Sequence, residues 1–234
     1  MRAIFYPFEE QKVDDLVQVT GDSVHHLTVA RVRENEKILL LNGKGQRLLG
    51  IIQAFSKKSI DIKITEAEEC TPLHELSLAI AMPKKEAFED ILKMAVELGV
   101  TEIYPLTSDY SQYEYAPSER VQRILESALV QSNNPFLPKI HSEQILYDFL
   151  SMHTGTIAFF NSKISEKPTD NEITAKKTIL IGPEGGFSAE EIAAIVKYPK
   201  TQEIHLPTPI LRAPTAVSAA IGFLLSSSVS AKTH

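Results

Sequence analysis

The chain has 234 residues, which sets a prior of one large domain or two small ones. Hydrophobic residues make up 43% and charged residues 23%, the composition of a globular protein and not of a disordered chain. The net charge of −6 weighs against a non-specific nucleic-acid binder, no apolar run reaches the ~20 residues of a membrane span, and the single Cys70 excludes an internal disulfide or a multi-cysteine zinc site.

The start, MRAIFYPFEEQK, turns acidic before a signal-type apolar region can form, so the expectation is a cytoplasmic protein. The front third is nearly neutral, with 10 basic and 11 acidic side chains in residues 1–71, and Arg31, Arg33 and Lys37 lie close together there. Its apolar runs at Ile4–Tyr6, Ile38–Leu41, Leu48–Phe55 and Ile60–Ile64 read as strands separated by turn residues. Asn42-Gly43-Lys44-Gly45 is the clearest turn. One short helix, capped by Asp22 or Ser23 and with Val24, Leu27 and Val32 on its face, interrupts them. Short strands around one helix predict a small barrel.

After Thr71-Pro72 the rhythm becomes strand, helix, strand. Leu76–Ala81 is a buried-type strand, and Lys84–Leu98 a helix whose Phe88, Ile91, Leu92, Ala95 and Val96 form one apolar stripe, ended by Gly99. Glu102–Leu106, Thr156–Phe160 and Thr178–Ile181 read as strands, and Glu119–Gln131, Ser188–Val196 and Ala213–Ser227 as helices. Ser188 with Glu191 makes a capping box. Lys163–Lys177 reads as an exposed excursion. The alternation predicts a mostly parallel α/β sheet.

Two loops carry the chemistry. Gly182-Pro183-Glu184-Gly185-Gly186-Phe187 follows a buried strand and precedes a capped helix, where an open α/β sheet holds its ligand; it is neither a dinucleotide fingerprint nor a P-loop, and it could also be a plain tight turn. Leu206–Ala216 also joins a strand end to a helix start, stiffened by Pro207 and Pro209. Arg212 lies near that helix start, against the dipole, so an anionic partner is expected. The apolar surplus of Ala213–Ser227 predicts a homodimer. His25-His26 reads as an RNA-facing or a structural pair with no third residue spaced for metal, and Tyr110, Tyr113 and Tyr115 as base-stacking or interface residues.

These residues resemble the 16S ribosomal RNA uridine N3-methyltransferases of the SPOUT superfamily. The resemblance runs through Arg2, Phe5, His25-His26-Leu27, Arg31, Asn42–Gly45, Lys84, Ala95–Val100, Pro105, Gln131-Ser132, Pro138, Gly182–Phe187 and Ile210-Leu211-Arg212 with Thr215-Ala216. It implies an α/β fold: a PUA-like β-barrel over residues 1–71 that binds RNA, and a SPOUT methyltransferase domain over 72–234 with a deep trefoil knot. It further implies S-adenosylmethionine as cofactor, a homodimer, and methylation of uridine N3 in small-subunit ribosomal RNA. By position, Phe160, Asn161, Gly182, Glu184, Gly185, Gly186, Leu206, Ile210, Leu211 and Ala216 would line the cofactor. Arg212 would be catalytic, and Arg2, His25, Arg31 and Arg33 would touch RNA. The sequence departs from the family pattern at Tyr110, Asn134 and Phe136, where arginine is usual, and in lacking a glutamate within Arg212–Ala216. Those departures keep two alternatives open: the same chemistry on another RNA, or a silent RNA-binding or ribosome-assembly protein.

Overall fold

The computed structural model describes residues 1–9, 11–29, 32–56, 58–161 and 177–230. The chain divides into two compact units, Met1–Pro72 with Leu125–Leu137, and Leu73–Ile124 with Pro138 onward.

The first unit is built on β1 (Arg2–Phe5), β2 (Leu16–Thr20), α1 (Asp22–Val29), β3 (Lys37–Leu41), β4 (Gln46–Phe55) and β5 (Ser59–Glu69). The five strands form one sheet in the order β1-β3-β4-β5-β2, with β1 parallel to β3 and the other pairs antiparallel. Alternation at period two sets the buried face: Val17 and Val19 of β2 and Ile60, Ile62 and Ile64 of β5 are buried with Ile38, Leu40, Leu48 and Ile52. Ser23 lies in the first turn of α1. Its hydroxyl donates to the Phe5 carbonyl at 3.2 Å and ties the helix start to β1. Val24 and Leu27 are buried as their spacing predicts, while Val32 is buried beyond the helix end, its amide bonded to the Leu27 carbonyl.

The Asn42–Gly45 turn joins β3 to β4. Asn42 Oδ1 accepts the amides of Lys44 and Gln46, and Gly43 and Gly45 both take positive φ, 74° and 106°. The turn also grips the returning segment: Gly45 N donates to the Pro135 carbonyl at 3.0 Å and Leu137 N to the Gly43 carbonyl at 2.9 Å. A Cβ on Gly45 would sit 2.6 Å from the Phe136 ring, so glycine is required for space as well as for φ.

The second unit holds β6 (Leu76–Ala81), α2 (Lys85–Glu97), β7 (Glu102–Thr107), the start of α3 (Glu119–Ser132), β8 (Lys139–Ile140), β9 (Gln144–Ile145) and α4 (Leu146–Met152). It continues with β10 (Thr156–Phe160), β11 (Lys177–Ile181), α5 (Ala189–Lys197), β12 (Thr201–Ile204) and α6 (Ala213–Ser230). Its strands are all parallel, in the order β12-β10-β11-β6-β7-β8 with β9 also on β7. Phe88, Ile91, Leu92, Ala95 and Val96 are the buried stripe of α2, and Gly99 at φ 75° ends it, with Gly99 N bonded to Val96 O and Val100 N to Ala95 O.

The expected excursion over Lys163–Lys177 needs correction at its end. Residues 163–176 lie outside the described residues, but Lys177 opens β11 and is buried, and desolvation pushes its ammonium pKa down. From β10 the chain goes to β11 on one side, and from β11 back to β12 on the other side of β10. That reversal opens a crevice at the carboxyl ends of β10, β11 and β12.

Candidate functional site

A cleft of about 300 Å³ occupies the crevice, walled by the ends of β10 and β11, the glycine turn, and the loop from β12 into α6. The turn is closed by Gly186 N donating to the Pro183 carbonyl at 2.8 Å. Gly186 has φ 73°, and no atom lies within 4 Å of the place its Cβ would take, so its backbone is open to whatever fills the cleft. Gly182 is crowded instead: a Cβ there would lie 3.1 Å from the Phe187 ring. Phe187 in turn packs edge-on against the buried Phe159, at 5.8 Å between ring centres.

Of the residues expected to line a cofactor, Phe160, Asn161, Gly182, Glu184, Gly186, Leu206, Ile210, Leu211 and Ala216 all border this cleft. Gly185 does not; it faces the other way, with its Cβ position 3.0 Å from Tyr110 Cβ. Glu184 has a second task, since its Oε1 accepts the Lys84 amide at 3.3 Å at the start of α2. A carboxylate there is favoured by the helix dipole.

The two sides of the cleft are tied together. Asn161 Nδ2 donates to Glu203 Oε1 at 2.9 Å, its main-chain N–H to the Ile204 carbonyl at 3.2 Å, and its carbonyl oxygen lies 3.3 Å from His205 Nδ1. Glu203 and His205 are among the positions sequence reasoning missed, and Phe187, named there only as part of the glycine loop, also lines the cleft. On the far wall Ile210 is 87% exposed. Arg212 stands directly before α6, its carbonyl accepting the Ala216 amide at 2.8 Å, with Pro214 in the first helical turn. Its side chain is exposed at the cleft edge and has no ion-pair partner among the described residues. The cleft is therefore mainly apolar, with Glu184, His205 and Arg212 as its ionisable groups.

The residues expected to touch RNA all belong to the first unit. Arg2 makes an ion pair with Glu36 at 2.7 Å, both side chains partly exposed. Arg33 is exposed. His25 lies on α1, Arg31 lies outside the described residues, and the His25 side chain is likewise not described. The three alternating tyrosines split: Tyr110 is exposed beside Gly185, while Tyr115 is half-buried with its ring edge-on to Phe88 at 5.6 Å. Burial pushes the Tyr115 hydroxyl above its ordinary pKa.

Comparison with known proteins adds the following. The family model of an RNA methyltransferase domain matches residues 69–225, and that of an RNA methyltransferase PUA domain matches residues 19–65. Ribosomal RNA small subunit methyltransferase E of Rickettsia conorii is 29% identical over 205 residues, covering 85% of this chain and 84% of that protein. Ribosomal RNA small subunit methyltransferase E 2 of Borreliella burgdorferi is 30% identical over 213 residues, covering 85% and 86%. Among solved structures, a ribosomal RNA small subunit methyltransferase E from Neisseria gonorrhoeae bound to S-adenosyl methionine superposes with a TM-score of 0.88 at 26% identity, over 97% of this chain and 98% of that one.

Proposed function

The chain belongs to the RNA methyltransferase family, and from that premise we propose that it methylates N3 of a uridine in small-subunit ribosomal RNA with S-adenosylmethionine as donor. The observation that carries the reading is the cleft at the strand-order reversal, whose walls suit the donor. Phe160, Ile181, Leu206 and Leu211 offer apolar surface for a flat base, and the left-handed Gly186 offers backbone at close approach for the polar tail. When bound, the donor supplies a sulfonium methyl that is already a strong electrophile.

The work left to the protein is to position the uridine, keep water out and stabilise charge on the base as N3 loses its proton. Arg212, exposed at the cleft edge, is assigned the last task, facing O2 or O4. The target uridine is unpaired or splayed, because N3 is masked in a base pair. Residues 1–71 are read as an RNA-binding PUA-like barrel, with Arg2, His25, Arg31 and Arg33 as its contacts, and 72–234 as the SPOUT methyltransferase domain. The return of the chain across β10 supports a deep trefoil knot around the cleft. A second copy is placed on α6, whose Gly222 and Phe223 are exposed while the Phe223 ring meets the cleft residue Phe160 at 6.2 Å. The setting is the cytoplasm.

A second reading, the same chemistry on another RNA, is favoured by Phe136, whose ring is held against Gly45 at a position where the family pattern has arginine. One experiment separates the two. Nucleoside mass spectrometry of ribosomal RNA from cells with and without the protein should show loss of one 3-methyluridine from the small subunit. Unchanged ribosomal RNA, with a methyluridine lost from another RNA, selects the second reading, and no change in any RNA sinks both.

A further inference from the structure

Outside the cleft, one buried carboxylate joins two loops that lie far apart in sequence. Glu191 on α5 is 1% exposed. Its Oε2 accepts the Ser188 amide at 2.9 Å, which completes the capping box with the Glu191 amide donating to Ser188 Oγ. Its Oε1 accepts the Asp109 amide, also at 2.9 Å, from the turn after β7. A capping box needs only the first of these bonds. The second fixes the turn Ser108–Ser111, which Ser111 N closes onto the Ser108 carbonyl and which Gln112 N anchors to the Met82 carbonyl. Tyr110 in that turn is the surface against which Gly185 rests.

We propose that Glu191 is a positioning residue for the donor cleft: through Asp109 it holds the Tyr110 turn as a rigid backstop for the glycine turn, so that Gly182 and Gly186 keep the spacing the ligand needs. The proposal rests on the reading of the cleft as the S-adenosylmethionine site. Its physical basis is that a fully buried carboxylate must satisfy both oxygens, and here each is satisfied by a different loop. Neither loop can shift without leaving a buried carboxyl oxygen unpartnered.

Asp109 gives a clean perturbation. It occupies the second position of its turn, which accepts proline, and Ser108 before it directly follows the extended β7. Asp109→Pro therefore deletes the one donating N–H and leaves the capping box intact, whereas Ser188→Ala weakens the capping box and leaves the Asp109 bond intact. With the full chain and S-adenosylhomocysteine as probe, calorimetry should show Asp109→Pro binding about tenfold more weakly, a loss of about 1.4 kcal/mol. Ser188→Ala, at an equal or larger loss of Tm, should bind within twofold of wild type. Hydrogen exchange should quicken together at residues 110–112 and 183–187 in Asp109→Pro only. Asp109→Pro with wild-type affinity, with unchanged exchange at 183–187, or with an effect that Ser188→Ala reproduces at equal Tm overturns the proposal. A wild-type protein that binds no S-adenosylhomocysteine overturns the reading of the cleft, and the exchange pattern then decides the coupling by itself.

Discussion

Gly182 is the position at which fold and ligand binding both exclude one methyl group. In Gly182→Ala the new Cβ arrives 3.1 and 3.2 Å from the Phe187 ring and 3.4 Å from the Gly186 carbonyl carbon. The ring must yield by a few tenths of an ångström, and it cannot retreat inward, because Phe159 behind it is 1% exposed. It moves towards the cleft. Overpacking of this kind costs about 1–3 kcal/mol, and the restricted unfolded chain returns about 0.4–1 kcal/mol. The net loss of up to about 2.6 kcal/mol corresponds to a fall in Tm of up to about 10 °C for a chain of this length. The ligand is penalised as well, since both the methyl and the displaced ring take its space; a penalty of about 1.4 kcal/mol is a tenfold rise in Kd. Thermal melts of the free protein and calorimetry with S-adenosylhomocysteine measure the two effects separately. A variant that melts several degrees early yet binds with a wild-type Kd would show that Gly182 serves packing only, and that the ligand does not enter by this wall.

Three further expectations concern charge and assembly. Arg212→Ala should slow methyl transfer about 10²–10³-fold while S-adenosylhomocysteine affinity stays within twofold, and Arg212→Lys should restore only part of the rate because it lacks the planar fork; equal single-turnover rates for wild type and Arg212→Ala would remove Arg212 from the reaction. Burial and the hydrogen bond to Glu102 push the Tyr104 hydroxyl up to about 12, so ultraviolet titration should show a late-ionising component that Tyr104→Phe removes. Because the folded pKa exceeds the unfolded value of about 10, the stabilisation that Tyr104 gives is complete below pH ~10 and is lost as the pH rises to about 12. Light scattering should report twice the 26.0 kDa chain mass, and Phe223→Asp should halve it; a wild-type monomer at micromolar concentration removes the second copy from α6.

Local chemistry made much of the second unit legible. The α2 stripe, Gly99 at its end and the Ser188–Glu191 box are decided by residues within about two helical turns of one another, and all are present. A strand end before Leu206 is expected, but the bounds of β12 are hidden because Thr201-Gln202-Glu203-Ile204 is a short edge strand with one buried side chain, and α4 is hidden because seven residues do not fill two turns of pattern. The cleft residues were reachable by family resemblance, yet a motif names positions without saying which side of a turn each one faces. Gly185 shows the limit, since it turns to Tyr110 while Gly186 beside it opens on the cleft. Bonds such as Glu191 to Asp109, 82 residues apart, and Asn161 to Glu203, 42 apart, leave no periodic trace at all.

The grip of Gly43 and Gly45 on Pro135–Leu137 sets an order of events during synthesis. The first unit contains Leu125–Leu137 as well as Met1–Pro72, so it lacks a strip of its own chain until 65 further residues beyond Pro72 have been made. At about 5–20 residues per second the ribosome takes roughly 3–13 s to supply them. Through that interval Gly45 has no Phe136 ring against it, and the main-chain bonds of Gly43 and Gly45 to Leu137 and Pro135 are unmade. An amino-terminal fragment cut at Pro72 lacks the Leu125–Leu137 strip, whereas one that carries the chain through Leu137 has every residue the unit uses.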